Sequence, residues 1–351
     1  MSPPRIAVIL INHADYTRRY LADCYAGLTA QTFPADRTTL FIVNNGLPDA
    51  ETQLTAQLAP RARILQNAEN RGWGGGNNTA IAVALREGYE HFILVNVDTI
   101  AEPDWLAELV QAAETQPDVH ILQSTILLNG TSRINSIGNR TQFLGYGYCN
   151  GYGQERAAVR ETPPMDYASG ASMLVKRAVF ERIGLFREEF FLYYDDMEFC
   201  WRARLAGFRV GWAERSVCHH AYQFQRRMKW LYYFQRNRLL TLLTLERAAS
   251  LLLIAPCLLV SELVVELYLI AQGHGRAVLD LLRYFVRGQT WREIRIWRRE
   301  IRMIRQHRDA EIVRGFAGGI VFAEVDSPVM RGLINPLLHL YWALVRPLIR
   351  W

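Results

Sequence analysis

The chain has 351 residues, half of them hydrophobic, and a formal net charge of +6. That length and apolar content support one large or two smaller folded domains; they exclude a disordered chain and do not demand a multi-span membrane protein. The charge is confined: between Arg276 and Arg308 ten arginines stand against Asp280, Glu293 and Glu300, a local balance of +7, so the remainder is close to neutral.

Arg5 to Ile11 is apolar but short, and it ends in Asn12-His13-Ala14-Asp15. It reads as a buried first strand rather than a secretory signal. Along the next hundred residues short apolar runs alternate with amphipathic stretches. Ile6–Ile11, Thr39–Val43, Ala62–Leu65, Phe92–Val95 and His120–Ser124 are predicted strands. Tyr16–Ala30, Ala50–Leu58, Asn77–Glu87 and Asp104–Thr115 are predicted helices. This alternation predicts an α/β protein with a mostly parallel sheet covered by helices on both faces. Ligands of such sheets bind beyond the C-terminal strand ends. Polar clusters lie there: Asn12, His13 and Asp15; Asn44-Asn45-Gly46; Asn70 to Asn78; and Asn96-Val97-Asp98-Thr99. Four clusters at four strand exits predict one crevice built from several loops. Leu128 to Pro164 has little periodicity and is predicted irregular or β-rich, and Arg226–Leu245 has helical spacing.

Asp98, at a strand exit, can hold a divalent cation against a diphosphate, since Mg²⁺ and Mn²⁺ prefer oxygen ligands. It can equally cap a turn or the next helix. Gly72 to Gly76 can bring backbone N–H groups to a phosphate, or serve only a tight turn; the run matches neither a dinucleotide fingerprint nor a P-loop. In Phe190–Arg202, three acids (Asp195, Asp196 and Glu198) open a predicted helix after a block of aromatic and apolar residues. They suit the helix dipole, and they also suit a general base for a hydroxyl nucleophile. His219 and His220 can complete a metal shell or be structural. Arg236 can clamp a diphosphate or sit on a solvated helix face.

Together these residues resemble family 2 glycosyltransferases of the GT-A fold, in particular the rhamnosyltransferase-like branch, from about Ile6 to Leu240. The resemblance rests on Asn70-Arg71-Gly72…Gly76-Asn77-Asn78, Asn96-Val97-Asp98, Gly170-Ala171-Ser172-Met173-Leu174-Val175-Lys176-Arg177, Asp195-Asp196-Met197-Glu198-Phe199-Cys200-Trp201-Arg202, the His219-His220 pair and Arg236-Asn237. It implies a metal-dependent inverting enzyme using Mg²⁺ or Mn²⁺. Asp98 would hold the metal with His220 or His219; Asp196 would be the base, with Asp195 positioning acceptor or base. Asn12, Asn44, Asn70, Gly72, Gly76, Asn77, Asn96 and Arg236 would bind the nucleotide sugar. The implied donor is a dTDP- or UDP-sugar, with rhamnose foremost, and the implied acceptor is a glycan or lipid-linked hydroxyl in cell-surface polysaccharide synthesis. Asn44 stands where the family usually has Asp, which weakens inference about the donor.

A boundary is expected near residue 245, separating a catalytic domain (1–245) from a helical, basic region (246–351). Leu251–Ala271 is apolar but contains Pro256, Glu262 and Glu266, which argue against a lipid-exposed span. Trp291, Ile294, Trp297, Ile301 and Ile304 recur at helical spacing among arginines, so an anionic membrane surface is an expected partner, with packing inside the protein or a homodimer as alternatives. No nucleic-acid module is evident. The five cysteines lack Cys-x-x-Cys spacing, consistent with a reducing cytoplasm and a peripheral place on the inner face of the cell membrane. Two other readings compete. A nucleotidyltransferase would need a basic glycine-rich loop that Ile11–Tyr16 does not supply; for a non-catalytic sugar- or lipid-binding scaffold, Asp98 and Asp196 argue against and Asn44 argues in favour.

Overall fold

The structure, a computed structural model, describes residues 4–221, 228–321 and 327–351. The sheet-forming elements are β1 (Ile6–Asn12), α1 (Ala22–Thr29), β2 (Thr38–Asn45), α2 (Asp49–Leu58), β3 (Arg63–Asn67), α3 (Gly72–Arg86), β4 (His91–Asn96), β5 (Thr99–Ala101), α4 (Trp105–Thr115) and β6 (Ile121–Leu128). Then come the short strands β7 (Ile134–Ser136), β8 (Asn139–Thr141) and β9 (Gly147–Cys149), followed by β10 (Ser172–Lys176), α5 (Arg177–Ile183), α6 (Asp195–Leu205) and β11 (Val210–His220).

The strand order is β3-β2-β1-β4-β10-β6-β11-β5, with β7 on β6. The first four strands are parallel, as their continuous apolar runs predict; all seven residues of β1 are buried. Beyond β4 the sheet turns mixed: β10 runs antiparallel to β4 and β6, while β11 is parallel to β6 and antiparallel to β5. The α/β GT-A expectation holds, and the mixed half is what the sequence pattern did not resolve. Trp105 of α4 anchors the core under this sheet, its indole N–H donating to Ser124 and Ser172 Oγ at 3.0 and 2.9 Å.

The chain forms two compact units, and their boundary differs from a cut at 245. The first comprises residues 1–139, 149–200 and 208–224; the second comprises 140–148, 201–207 and 225–351. The helix expected from Arg226 is described from Met228 as α7 (Met228–Leu245), and it belongs to the second unit; its expected first residues, 226–227, lie outside the described residues. That unit continues with α8 (Ala248–Ala271), α9 (Gly275–Val286), α10 (Gly288–Ile304), α11 (Asp309–Val313) and α12 (Asn335–Val345).

Two expectations for the second unit change. Of the Trp/Ile stripe of α10, Ile294, Trp297 and Ile301 are 3, 5 and 2% exposed and pack inside the protein, while Trp291 in the first turn is 44% exposed. The two acids of α8 do not face lipid. Both carboxylate oxygens of Glu262 accept from Arg238 at 2.6 Å, and both Glu266 carboxylate oxygens are buried. The exposed apolar residues of α8 instead include Leu252, Leu259, Val260, Leu263, Val264 and Leu267, at 57–74%.

Candidate active site

β4 ends at Asn96, and a tight turn through Asp98 leads into β5. β5 pairs with the end of β11, setting His220 opposite Thr99 and His219 opposite Ile100. This register brings His220 Nε2 to 3.2 Å from Asp98 Oδ1, with the two side chains 8 and 14% exposed. His220 Nδ1 lies 3.0 Å from Asn135 Oδ1; with the proton on this nitrogen, a neutral ring presents its Nε2 lone pair to Asp98. A lone pair and a carboxylate oxygen at that distance repel unless a proton or a cation lies between them. A doubly protonated ring satisfies the contact as an ion pair, and a neutral ring with a divalent cation bound between the two groups would satisfy it too. Among the described residues no group of three His, Cys, Asp or Glu forms, so other ligands would come from substrate oxygens or water. His219 is not part of this pair. Side chains alternate along a strand, and its Nε2 lies 3.2 Å from Glu102 Oε1 instead.

The acids of α6 follow a run of unusual backbone. Phe191, Tyr193 and Tyr194 have positive φ of 62, 67 and 70°, which L-amino acids rarely adopt, and Phe191, with ψ −52°, is the centre of a strained γ-turn closed by Leu192 N–H to Phe190 O at 2.7 Å. Asp196 is fixed at both oxygens: Gly170 N–H donates to Oδ2 at 3.0 Å and Met197 N–H to Oδ1 at 2.8 Å. Burial raises its pKa, and these two N–H groups oppose the rise. Asp195 is 4% exposed and its Oδ1 has no hydrogen-bond partner. Burial first, then the Asp196 carboxylate, hold its pKa well above the usual range, against the backbone N–H of Gly74.

The glycine run is the first turn of α3, five residues ahead of the predicted start, and not an open loop. At Gly72, with φ +72°, a Cβ would stand 2.1 Å from Phe191 O, and the next N–H, of Trp73, donates to that same carbonyl at 2.8 Å. The helix start thus clamps the strained segment before Asp195. Trp73 extends the clamp: its indole N–H donates to Asn96 Oδ1 at 3.1 Å, and its ring lies 2.4 Å from where a Gly170 Cβ would be. Asn96 N–H in turn donates to Ala171 O at 3.1 Å. Trp73, Gly170 and Ala171 so tie the strand end that leads to Asp98 into the loop that fixes Asp196.

The predicted amides are placed as follows. Asn12 and Asn44 are neighbours in register and 0% exposed. Asn12 Nδ2 donates to Thr17, Asn44 and Thr55 oxygens at 2.9–3.2 Å, while Asn12 Oδ1 and Asn44 Nδ2 lack partners. Asn70 Oδ1 accepts from Gly72 N–H and from Asn45 Nδ2 at 2.9 and 3.0 Å, which holds the start of α3. Asn77 bonds back to Trp73 O in its own helix, and a Cβ on Gly76 would meet Asn45 Nδ2 at 3.1 Å. Arg236 lies in the second unit, where its Nε donates to Asn237 Oδ1 and its guanidinium lies 4.9–5.3 Å from the ring centroids of Tyr232, Tyr233 and Tyr284. Sequence reasoning missed Asn135, Trp73 and Asn45 as supporting residues. Asn135 sits in the irregular stretch with no motif around it; Trp73 was visible only as an interruption of the glycines.

A parallel αβ half with Asn-x-Asp at its central strand end, continued by a mixed half that carries the buried acids, defines a GT-A type transferase fold. The chain belongs to glycosyl transferase family 2, whose sequence model matches residues 7–184, about half of the chain. It is 30% identical over 151 residues to the low-salt glycan biosynthesis hexosyltransferase Agl10 of Haloferax volcanii, covering 42% of this chain and 48% of that protein. It is 26% identical over 204 residues to the N-acetylglucosaminyl-diphospho-decaprenol L-rhamnosyltransferase of Mycobacterium tuberculosis, covering 52 and 66%. The alignments thus span half to two thirds of these relatives. The mannosyltransferase PcManGT of Pyrobaculum calidifontis, solved with GDP-Man and Mn²⁺, shares the fold with TM-score 0.50 and 16% identity over 86% of this chain and 87% of that one.

Proposed function

We propose that the protein is an inverting glycosyltransferase that moves a sugar, rhamnose foremost, from a dTDP- or UDP-sugar to a hydroxyl of a glycan or lipid-linked acceptor. The rhamnosyltransferase and hexosyltransferase relatives support the sugar class. The observation that carries the mechanism is Asp196, a buried carboxylate fixed by Gly170 and Met197 N–H groups beside the Trp73–Asn96 link to Asp98.

Asp98 and His220 would hold Mg²⁺ or Mn²⁺. When bound, such a cation neutralises charge developing on a leaving diphosphate. Asp196 accepts the proton of the acceptor hydroxyl as that oxygen attacks the anomeric carbon, and displacement from the opposite face inverts the centre. Its raised pKa makes it a stronger base than a solvated carboxylate. The two N–H donors keep it ionised and aimed. Asp195, whose pKa is raised further by burial and by the Asp196 carboxylate, is the member of the pair that holds a proton, so the negative charge stays on Asp196.

A membrane seat completes the reading. α8 is 24 residues long, and its most apolar stretch has a mean hydropathy of 2.3 and is only 11% buried. Leu337, Leu340 and Leu344 of α12 are also exposed, at 57–65%. Apolar area of this extent marks an interaction surface, and a lipid bilayer fits it.

Asp196→Asn tests the core of the proposal: donor binding by calorimetry should be retained, while turnover falls by about 10²–10⁴-fold. Asp98→Asn should instead weaken donor binding in Mg²⁺ or Mn²⁺. Near-normal turnover in Asp196→Asn overturns the assignment.

A further inference from the structure

The second unit contains a cleft of about 580 Å³ lined by Thr244, Glu246, Ala248, Ile301 and six arginines: Arg247, Arg295, Arg298, Arg299, Arg302 and Arg305. These arginines divide into two sets. Arg298 donates to the Leu243 and Glu246 carbonyls, and Arg305 donates to the Leu245 carbonyl and pairs with Asp309. Both therefore satisfy the last carbonyls of α7 and stabilise its negative end. The guanidinium groups of Arg247, Arg295, Arg299 and Arg302 are exposed and have no ion-pair or hydrogen-bond partner among the described residues. Arg295, Arg299 and Arg302 follow i, i+4, i+7 spacing, which lines one face of α10, while Ile294, Trp297 and Ile301 are buried beside it, Ile301 also in the cleft lining. The helix is thus held rigidly with its cationic side turned to the cleft.

Glu246 is the acid in the lining. It is 3% exposed, and burial followed by the Asp309 carboxylate pushes its pKa well above the usual range, which favours its neutral form. The arginines are not cancelled from within. Clustered guanidinium forks match phosphate oxygens bidentately. Apolar side chains adjoin the cleft residues in sequence: Ile296 and Met303 on α10 are 50 and 73% exposed, and Leu252, one turn into α8 from Ala248, is 74% exposed. These exposed apolar residues, with the bare apolar face of α8, favour a lipid over a soluble phosphate as the source of the phosphate.

We propose that this cleft is a binding site for the phosphate head group of a lipid, with Arg247, Arg295, Arg299 and Arg302 as its ligating side chains. The site goes beyond the proposed transfer reaction and does not rest on it. Vesicle partition of the full chain tests it, using phosphatidylcholine with phosphatidic acid. The cleft variant R295Q/R299Q/R302Q is compared with R276Q/R287Q/R292Q, which removes equal charge from exposed positions outside the cleft lining. Diffuse attraction contributes similarly per residue wherever the arginine lies near the surface, so a built site is expected to make the cleft variant partition about tenfold less than its match. Equal losses overturn the proposal. R295K/R299K/R302K keeps charge and helix propensity; it should also lose partition, and wild-type partition by this variant overturns the guanidinium assignment. Inorganic pyrophosphate separates the sources. If it binds wild type better than the cleft variant while vesicle partition of the two is alike, the ligand is a free phosphate and the lipid assignment fails. Because the assay reads membrane partition and not sugar transfer, its failure leaves the catalytic reading intact.

Discussion

Asp195 and Asp196 are adjacent in the chain but differ in what holds them. Asp196 has a backbone donor on each oxygen, whereas Asp195 keeps a buried oxygen with none. The folded-state pKa of Asp195 is raised, so over the window between its unfolded value and its folded value the native state binds the extra proton. Stability is therefore lost as pH rises through that window, and the penalty is in full force above it. Asp195→Asn removes the charge at nearly constant volume. It should raise Tm at neutral pH by about 2–4 °C, the shift that 1 kcal/mol makes in a domain of this size, and the gain should vanish below about pH 4, where the unfolded carboxyl is also protonated. A Tm gain that persists unchanged in acid removes the electrostatic explanation. Residue type and order placed the acids in the sequence; which of the two would be fixed and which left unsatisfied depended on Gly170, 26 residues away. The two histidines show the same division. His219-His220 is legible as a pair, but only the β5–β11 register decides that His220 meets Asp98.

α3 shows how an element can be read correctly in kind and wrongly in extent. Its apolar spacing predicts a helix from Asn77, because glycines are poor helix formers and mark loops. The structure begins it at Gly72, where tertiary contact outweighs propensity: the turn must come within touching distance of Phe191, Asp195 and Asn45. Gly72→Ala therefore imposes both a left-handed φ on alanine and a 2.1 Å approach to a backbone oxygen. It should lower Tm by more than about 4 °C and reduce kcat, because the displaced Phe191 leads directly to Asp195. Gly76→Ala meets the Asn45 amide and Ile11 side-chain atoms at 3.1 Å and should be much milder. Similar thermal stability for both variants would discount the clamp. In α10 the periodic stripe was plain from the sequence, yet periodicity gives no partner: Ile294, Trp297 and Ile301 went to the core, while Arg295, Arg299 and Arg302 went outward and Arg298 and Arg305 turned to the α7 carbonyls.

At the scale of the whole molecule, the exposed large apolar side chains among the described residues are concentrated in the second unit. Leu259, Leu263 and Leu267 lie at i, i+4, i+8 on α8 and are 69, 62 and 57% exposed. Replacing all three with Gln should leave Tm nearly unchanged, since surface substitutions usually stay within about 0.5 kcal/mol each, while partition into neutral vesicles falls. A large drop in Tm would mean that this face is covered within the folded protein. The sequence by itself determined the strand-and-helix alternation, the polar strand exits, the Asn-x-Asp and Asp-Asp motifs and the confinement of charge. These are local properties, set by side-chain hydropathy, period and order along the chain. Only the tertiary structure decided the mixed half of the sheet, the division into units, the choice of His220 over His219 and the inward turn of Glu262. Each depends on residues distant in sequence competing for the same buried space and hydrogen-bond partners, and no local period records the outcome of that competition.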